Sequence, residues 1–269
     1  MTPPALAYHL TGPDAGPPVV LLHAFPLDRT MFAAVAERLA QRAVLVDLPG
    51  LGASPVPDGE PSLDVAADGV AAVLDELGQP GAVLAGCSMG GYVAMAFARR
   101  HPQRLLGLAL IDTKAEADSP EAAANRERMA VSVTEQGIGA VEAALPPLLG
   151  ETSCREQPGL PEQVRSLALS AHPAGIAWSQ RAMAARPDSG ATLAGLRVPV
   201  TVVVGEEDRL IGPEPARALA ARIPGSTFLS LPGAGHLAPL ERPGPVAAAL
   251  TTLLLHVRPG PAAGSPPRA

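Results

Sequence analysis

The chain reads as an α/β protein built on a mostly parallel sheet with helices on both faces. Its strand candidates are apolar throughout rather than alternating, as in Val19-Val20-Leu21-Leu22 and Leu105 to Ile111, which places them in a sheet covered on both sides. They also alternate with helical stretches, so successive strands are joined by crossovers. A third observation is Gly86-Cys87-Ser88-Met89-Gly90-Gly91, a G-x-S-x-G run between an apolar segment and a helical one. That is the setting of a serine held on a tight strand-to-helix turn, where glycine is needed because two backbones pass very close.

Taken in order, residues from Ala5 to Thr11 are expected at an antiparallel edge. Val19 to Leu22 is a strand, followed by a helix from about Met31 to Gln41. Ala43 to Val46 is the next strand, and it runs into Asp47-Leu48-Pro49-Gly50. Leu63 to Leu77 is a helix with Val65, Val70, Val73, Leu74 and Leu77 apolar. Ala82 to Ala85 leads into Ser88, and Met89 to Arg100 is the helix after it. Leu105 to Ile111, Val200 to Val204 and Phe228 to Leu231 are further strands, and a helix from about Pro245 to His256 closes the fold. Between Thr113 and Leu193 the alternation stops. That stretch is rich in Ala, Glu and Arg, and it predicts a helical cap at 113–193 inserted into a core of residues 1–112 and 194–258. The Pro/Gly/Ala-rich tail, 259–269, is expected to be disordered.

The 269 residues suit one domain with an insertion, and 47% hydrophobic against 17% charged residues makes it globular. A net charge of −6 without a basic block argues against a nucleic-acid partner. No apolar run is long enough to span a membrane and no signal peptide is visible, so no membrane partner and a cytoplasmic location are expected. Cys87 and Cys154 form neither a metal spacing nor a disulfide framework, which fits a reducing compartment. Cys87 itself reads as a small buried residue at a strand end. No G-x-G-x-x-G and no Walker-type lysine is present, so a phosphate loop at Gly86 to Gly91 lacks support and no cofactor or metal is expected. Nothing in the chain specifies an oligomeric state.

A serine hydroxyl becomes a nucleophile only when a base takes its proton and an acid orients that base. Among six histidines, His236 follows Pro232-Gly233-Ala234-Gly235, a loop just past the last strand, where ligand-facing groups collect in a parallel sheet. The order Ser…Asp…His then points to Asp208 after the strand Val200 to Val204. Glu206 and Glu207 lie beside it, and Asp112, at the end of Leu105 to Ile111, is the rival acid. The backbone amides of Met89 and Phe25 are the candidate oxyanion donors, with His23 holding the Phe25 loop. In the cap, Trp178 and Arg181 fall three apart on one helical face and are candidate substrate-binding residues. There an arginine could pair with a substrate carboxylate, and Arg126 and Arg128 are further candidates. Met89, Met95, Met129 and Met183 offer pliable lining, and with 3% aromatic residues the expected partner is a small or medium acyl substrate.

Five segments together, in this order, resemble the α/β-hydrolase superfamily. They are His23-Ala24-Phe25-Pro26, Asp47 to Ser54, Gly86 to Gly91, Gly205 to Asp208 and Gly233-Ala234-Gly235-His236. Ala24 departs from the glycine usual in the family, and Asp47 resembles a structural turn residue of it. The resemblance implies an eight-stranded, mostly parallel sheet with the cap inserted after the sixth strand and lying over the active site. A serine nucleophile excludes the branches that use aspartate on halides and epoxides. The Gly-Cys-Ser-Met-Gly-Gly-Tyr run and short cap resemble the 3-oxoadipate enol-lactonase-like and small carboxylesterase groups. The expectation is a cofactor-free hydrolase of an ester or lactone. Alternatives with the same three residues are a perhydrolase or a lyase, and a ligand-binding protein on this scaffold is the alternative of another class.

Overall fold

In the computed structural model, which describes residues 3–144 and 147–257, seven strands form one sheet. They are β1 (Tyr8–Thr11), β2 (Val19–Leu22), β3 (Ala43–Val46), β4 (Ala82–Cys87), β5 (Leu105–Ile111), β6 (Val200–Gly205) and β7 (Thr227–Leu231), in the order β1-β3-β2-β4-β5-β6-β7. Only β1 is antiparallel, paired to β3 with Tyr8 opposite Val46. The sheet has seven strands among the described residues instead of eight, so the helical insertion follows the fifth. The physical reason lies at the N-terminus. Pro3 and Pro4 have no N–H to give a ladder, and Pro4 and Leu6 pack against the helix Leu63–Glu76 at Gly69 instead.

Apolar burial on both faces follows from strand alternation. Val20, Leu22, Val44, Val46 and Leu84 point toward the helices Leu63–Glu76 and Met89–Arg100. Val19, Leu21, Ala43, Leu45 and Val83 point to Met31, Phe32, Val35 and the closing helix Pro243–Leu255. The helix expected from Met31 to Gln41 is shorter: a 3₁₀ turn over Arg29–Phe32 and one α turn over Ala33–Ala36. After Ala36 the ladder tightens to i→i−3 bonds, Arg38 N–H to Val35 O and Leu39 N–H to Ala36 O, and it ends there.

Between β5 and β6 the described chain is helical, with Pro120–Gln136 packed on Pro173–Ala184. The carboxyl ends of β4, β5, β6 and β7 lie along one edge, with Cys87 beside Ile111, Ile111 beside Val203 and Gly205 beside Leu231. Loops leaving that edge carry Ser88, Asp112, Asp208 and His236 to one place. Among the described residues no helix is long and apolar enough to cross a membrane. The tail expected at 259–269 lies outside the described residues, as does residue 258 at the end of the expected core.

Candidate active site

Ser88 sits at φ 52°, ψ −114°, a positive-φ conformation in a residue with a side chain. The backbone holds it there from both sides. Its N–H donates to Ile111 O (2.9 Å), and its carbonyl accepts from Gly91 N–H (2.9 Å) and Thr113 Oγ1 (2.9 Å). The turn is possible because its flanks lack side chains. A Cβ on Gly86 would come within 2.2 Å of Gly90 O, and one on Gly90 within 2.1 Å of Leu22 O.

The Ser88 hydroxyl meets His236 Nε2 at 2.8 Å, and His236 Nδ1 meets Asp208 Oδ2 at 2.9 Å. A carboxylate only accepts, so Nδ1 carries the proton and Nε2 presents its lone pair to the serine O–H. The other oxygen of Asp208 accepts from Leu210 N–H (2.8 Å) and Ile211 N–H (3.2 Å), which fixes the carboxylate plane. Asp208 and His236 are each about 5% exposed. Such a series can take a proton from Ser88 and hand it on to a leaving group.

The neighbouring acids are engaged elsewhere. Glu207 accepts from Thr152 N–H and Oγ1 (2.9 and 2.6 Å), and Glu206 accepts from the Ser230 hydroxyl (3.1 Å). Asp112 is fully buried at φ 46°. Its oxygens accept from Gly205 N–H (2.8 Å) and Ala238 N–H (3.1 Å), and burial, followed by the charge of Asp208, pushes its carboxyl well up. Cys87 is buried with its thiol pushed up by desolvation, as a core residue at a strand end should be.

In the loop after β2, His23 is neutral and its tautomer is set by its partners. Nδ1–H donates to Ala24 O (3.0 Å), and Nε2 accepts from Leu48 N–H (2.9 Å), while burial lowers its basicity. It ties this loop to the Asp47 turn, where the carboxylate accepts from Arg29 N–H and Ala53 N–H (2.8 Å each). Ala24 N–H is spent on Met31 Sδ (3.3 Å), but Phe25 N–H and Met89 N–H have no acceptor among the described residues. Met89 is the first helical residue, so its amide has no intrahelical partner.

A cavity of about 240 Å³ opens over Ser88 and His236, with Phe25 and Leu148 in its wall. It adjoins a groove of about 670 Å³ and shares Arg126, Met129, Gln180 and Leu210 with it. Trp178 and Arg181 line neither. Trp178 is buried in the core, and Arg181 is turned outward onto Glu127, Nη2 to Oε1 2.8 Å, so the structure does not bring them to the site. Spacing placed the two on one helical face, but the side of Pro173–Ala184 that faces the cavity carries Gln180 and Met183. Of the alternative arginines, Arg126 lines both the cavity and the groove, and Arg128 lines the groove only. Met95 lines neither. Among the described residues no group of three or more His, Cys, Asp or Glu side chains is placed to hold a metal ion.

Sequence reasoning missed several residues at the site: Lys114 and Gln180, which line the cavity, and Glu241 behind the histidine loop. Glu241 is 1% exposed, and its carboxylate accepts three backbone N–H groups: Gly150 and Gly235 (2.8 Å each) and Leu237 (3.0 Å). Gly235 and Leu237 flank His236, whose own N–H donates to Leu148 O (2.8 Å). Glu241 therefore clamps the histidine loop to the helical insertion. The available signal was an acid embedded in the apolar run Leu237-Ala238-Pro239-Leu240-Glu241. Glu241→Gln places an NH₂ against at least one of those N–H groups. It should cost about 1–3 kcal/mol of stability, read as a lower melting temperature. The loosened His236 should lower kcat by about 10- to 100-fold, with KM changing far less.

A family model described as "Alpha/beta hydrolase family" matches residues 19–249. Among curated proteins, the pimeloyl-[acyl-carrier protein] methyl ester esterase of Chromobacterium violaceum is 31% identical over 230 residues, 82% of this chain and 87% of that protein. Among solved structures, a thermophilic esterase from Thermogutta terrifontis is 44% identical with a TM-score of 0.89, covering 94% of each chain. The enol-lactonase of Burkholderia xenovorans LB400 is 28% identical with a TM-score of 0.84, covering 93% of this chain and 96% of that one.

Proposed function

The chain belongs to the alpha/beta hydrolase family, and from that premise we propose that it is a serine hydrolase of carboxylic esters or lactones, with a small or medium acyl substrate. One observation carries the reading: His236 joins the Ser88 hydroxyl to Asp208 in an unbroken hydrogen-bonded series at the floor of a cavity. His236 takes the Ser88 proton as Oγ attacks the acyl carbon. Phe25 and Met89 amides receive the oxyanion. His236 then protonates the departing alkoxide, leaving an acyl group on Ser88. A water deprotonated by the same imidazole attacks that acyl group, and the acid leaves as Ser88 regains its proton. The helical stretch 113–193 acts as a cap, a role supported by its supplying half of the cavity lining, Lys114, Arg126, Met129, Leu148, Gln180 and Met183. The names of the relatives, esterases and an enol-lactonase, fit the same reading.

The test is covalent. An alkyl fluorophosphonate should add one phosphonyl group to folded protein, and peptide mass spectrometry should find it on Ser88. Labelled protein should hydrolyse no p-nitrophenyl ester. An unlabelled Ser88 in protein that still turns esters over would overturn the assignment.

A further inference from the structure

The geometry points to an anion subsite inside the cavity, formed by Lys114 and Arg126, that selects acyl substrates carrying a second, free carboxylate. This rests on the serine-hydrolase reading of the same cavity and names its substrate class. Lys114 and Arg126 line the cavity, and among the described residues no Asp or Glu does. Their shared acid, Asp118, has a side chain only 1% exposed, so it stands behind them. Arg126 Nε lies 2.5 Å from Asp118 Oδ2, Arg186 Nη2 lies 2.8 Å from Oδ1, and Lys114 Nζ is 4.0 Å from Oδ1. Burial alone would raise the Asp118 carboxyl, but the hydrogen bonds from Arg186 and Arg126 prevail and keep it ionised.

Three cations therefore share one carboxylate. Arg186 is withdrawn, 5% exposed at its side chain and stacked over Tyr92 at 4.0 Å. The nearby acids do not make up the difference: Glu116 is turned to Arg222 (2.9 Å) and Glu127 to Arg181 (2.8 Å). Arg126 Nη1 donates to Gln180 Oε1 (3.1 Å), which pins the guanidinium. Its Nη2 and Lys114 Nζ have no hydrogen-bond acceptor among the described residues. Two donors of positive charge thus face a cavity that also holds the Ser88 hydroxyl. In a partly water-excluded space an anion placed there gains charge-assisted hydrogen bonds that an apolar group cannot make.

Two p-nitrophenyl esters of equal carbon count in the acyl chain test this: mono-p-nitrophenyl adipate and p-nitrophenyl hexanoate. Wild-type protein should favour the adipate in kcat/KM. Lys114→Met should cut the adipate-to-hexanoate ratio by about tenfold, the size of one charge-assisted contact, and Lys114→Arg should restore much of it. Free adipate, titrated by calorimetry, gives an arm that needs no turnover. Its Kd should weaken by a similar factor in Lys114→Met. No adipate preference in wild type, or a preference and a Kd indifferent to Lys114→Met, would overturn the subsite while hexanoate turnover keeps the hydrolase reading. Adipate binding that depends on Lys114, without turnover of either ester or labelling of Ser88, would instead keep the subsite and remove the hydrolase.

Discussion

Ser88→Ala should lower kcat for a p-nitrophenyl ester by about 10⁶-fold while leaving the circular dichroism spectrum and the melting temperature essentially where they were. The two halves of this expectation have separate causes. Among the described residues the hydroxyl has one side-chain partner, His236 Nε2, so on the proposed mechanism its loss removes the atom that forms the acyl bond and little else. The unusual backbone at Ser88 does not depend on that hydroxyl. It is held by bonds to Ile111 O, Gly91 N–H and Thr113 Oγ1, and by the close passage of Gly86 and Gly90. Alanine has the same Cβ and meets the same φ penalty, so the turn persists. Steady-state kinetics with a thermal melt on the same sample checks both. Turnover surviving in a folded variant would place the chemistry on another residue.

Such separability explains which parts of the molecule could be read from its sequence. The strands were legible because burial on both faces leaves an unbroken apolar run. Val19–Leu22, Ala43–Val46 and Leu105–Ile111 have the predicted bounds. Ser88 and His236 were legible because small residues must flank them where backbones crowd: a Cβ on Gly235 would come within 2.3 Å of Gly150 N. The edge strand count was not, since whether Pro4 and Leu6 pair or pack depends on a distant helix, at Gly69. The helical stretch between β5 and β6 was least legible. Helical spacing says that Trp178 and Arg181 share a face, but the direction of that face is set by packing between Pro120–Gln136 and Pro173–Ala184. The pairing of Asp118 with Arg186, and of Glu241 with Gly150, links positions far apart in the chain, and no local pattern announces either.

Asp208→Asn should reduce kcat by about 10⁴-fold, and Asp112→Asn should reduce it by far less. The amide introduced in place of the Asp208 carboxylate is oriented by its surroundings alone. Leu210 and Ile211 donate two N–H groups to Oδ1, so the single carbonyl of asparagine must stay there. Its NH₂ then occupies the Oδ2 place and donates to His236 Nδ1. Nδ1 becomes an acceptor, the ring proton moves to Nε2, and the imidazole presents N–H to a hydroxyl whose proton it should be taking. The base is lost with the geometry intact. Asp112 cannot replace Asp208, because both its oxygens are occupied by Gly205 and Ala238 N–H and its ionisation is opposed by burial and then by the charge of Asp208. In Asp112→Asn one of those two N–H groups faces an NH₂, so the expected effect is a loss of about 1–3 kcal/mol in stability, seen in denaturant unfolding. A result with the two reversed, Asp112→Asn silencing kcat and Asp208→Asn mainly lowering stability, would move the acid to the end of β5. The loop after β6 would then be left with a structural role in holding Leu210 and Ile211 at the cavity wall.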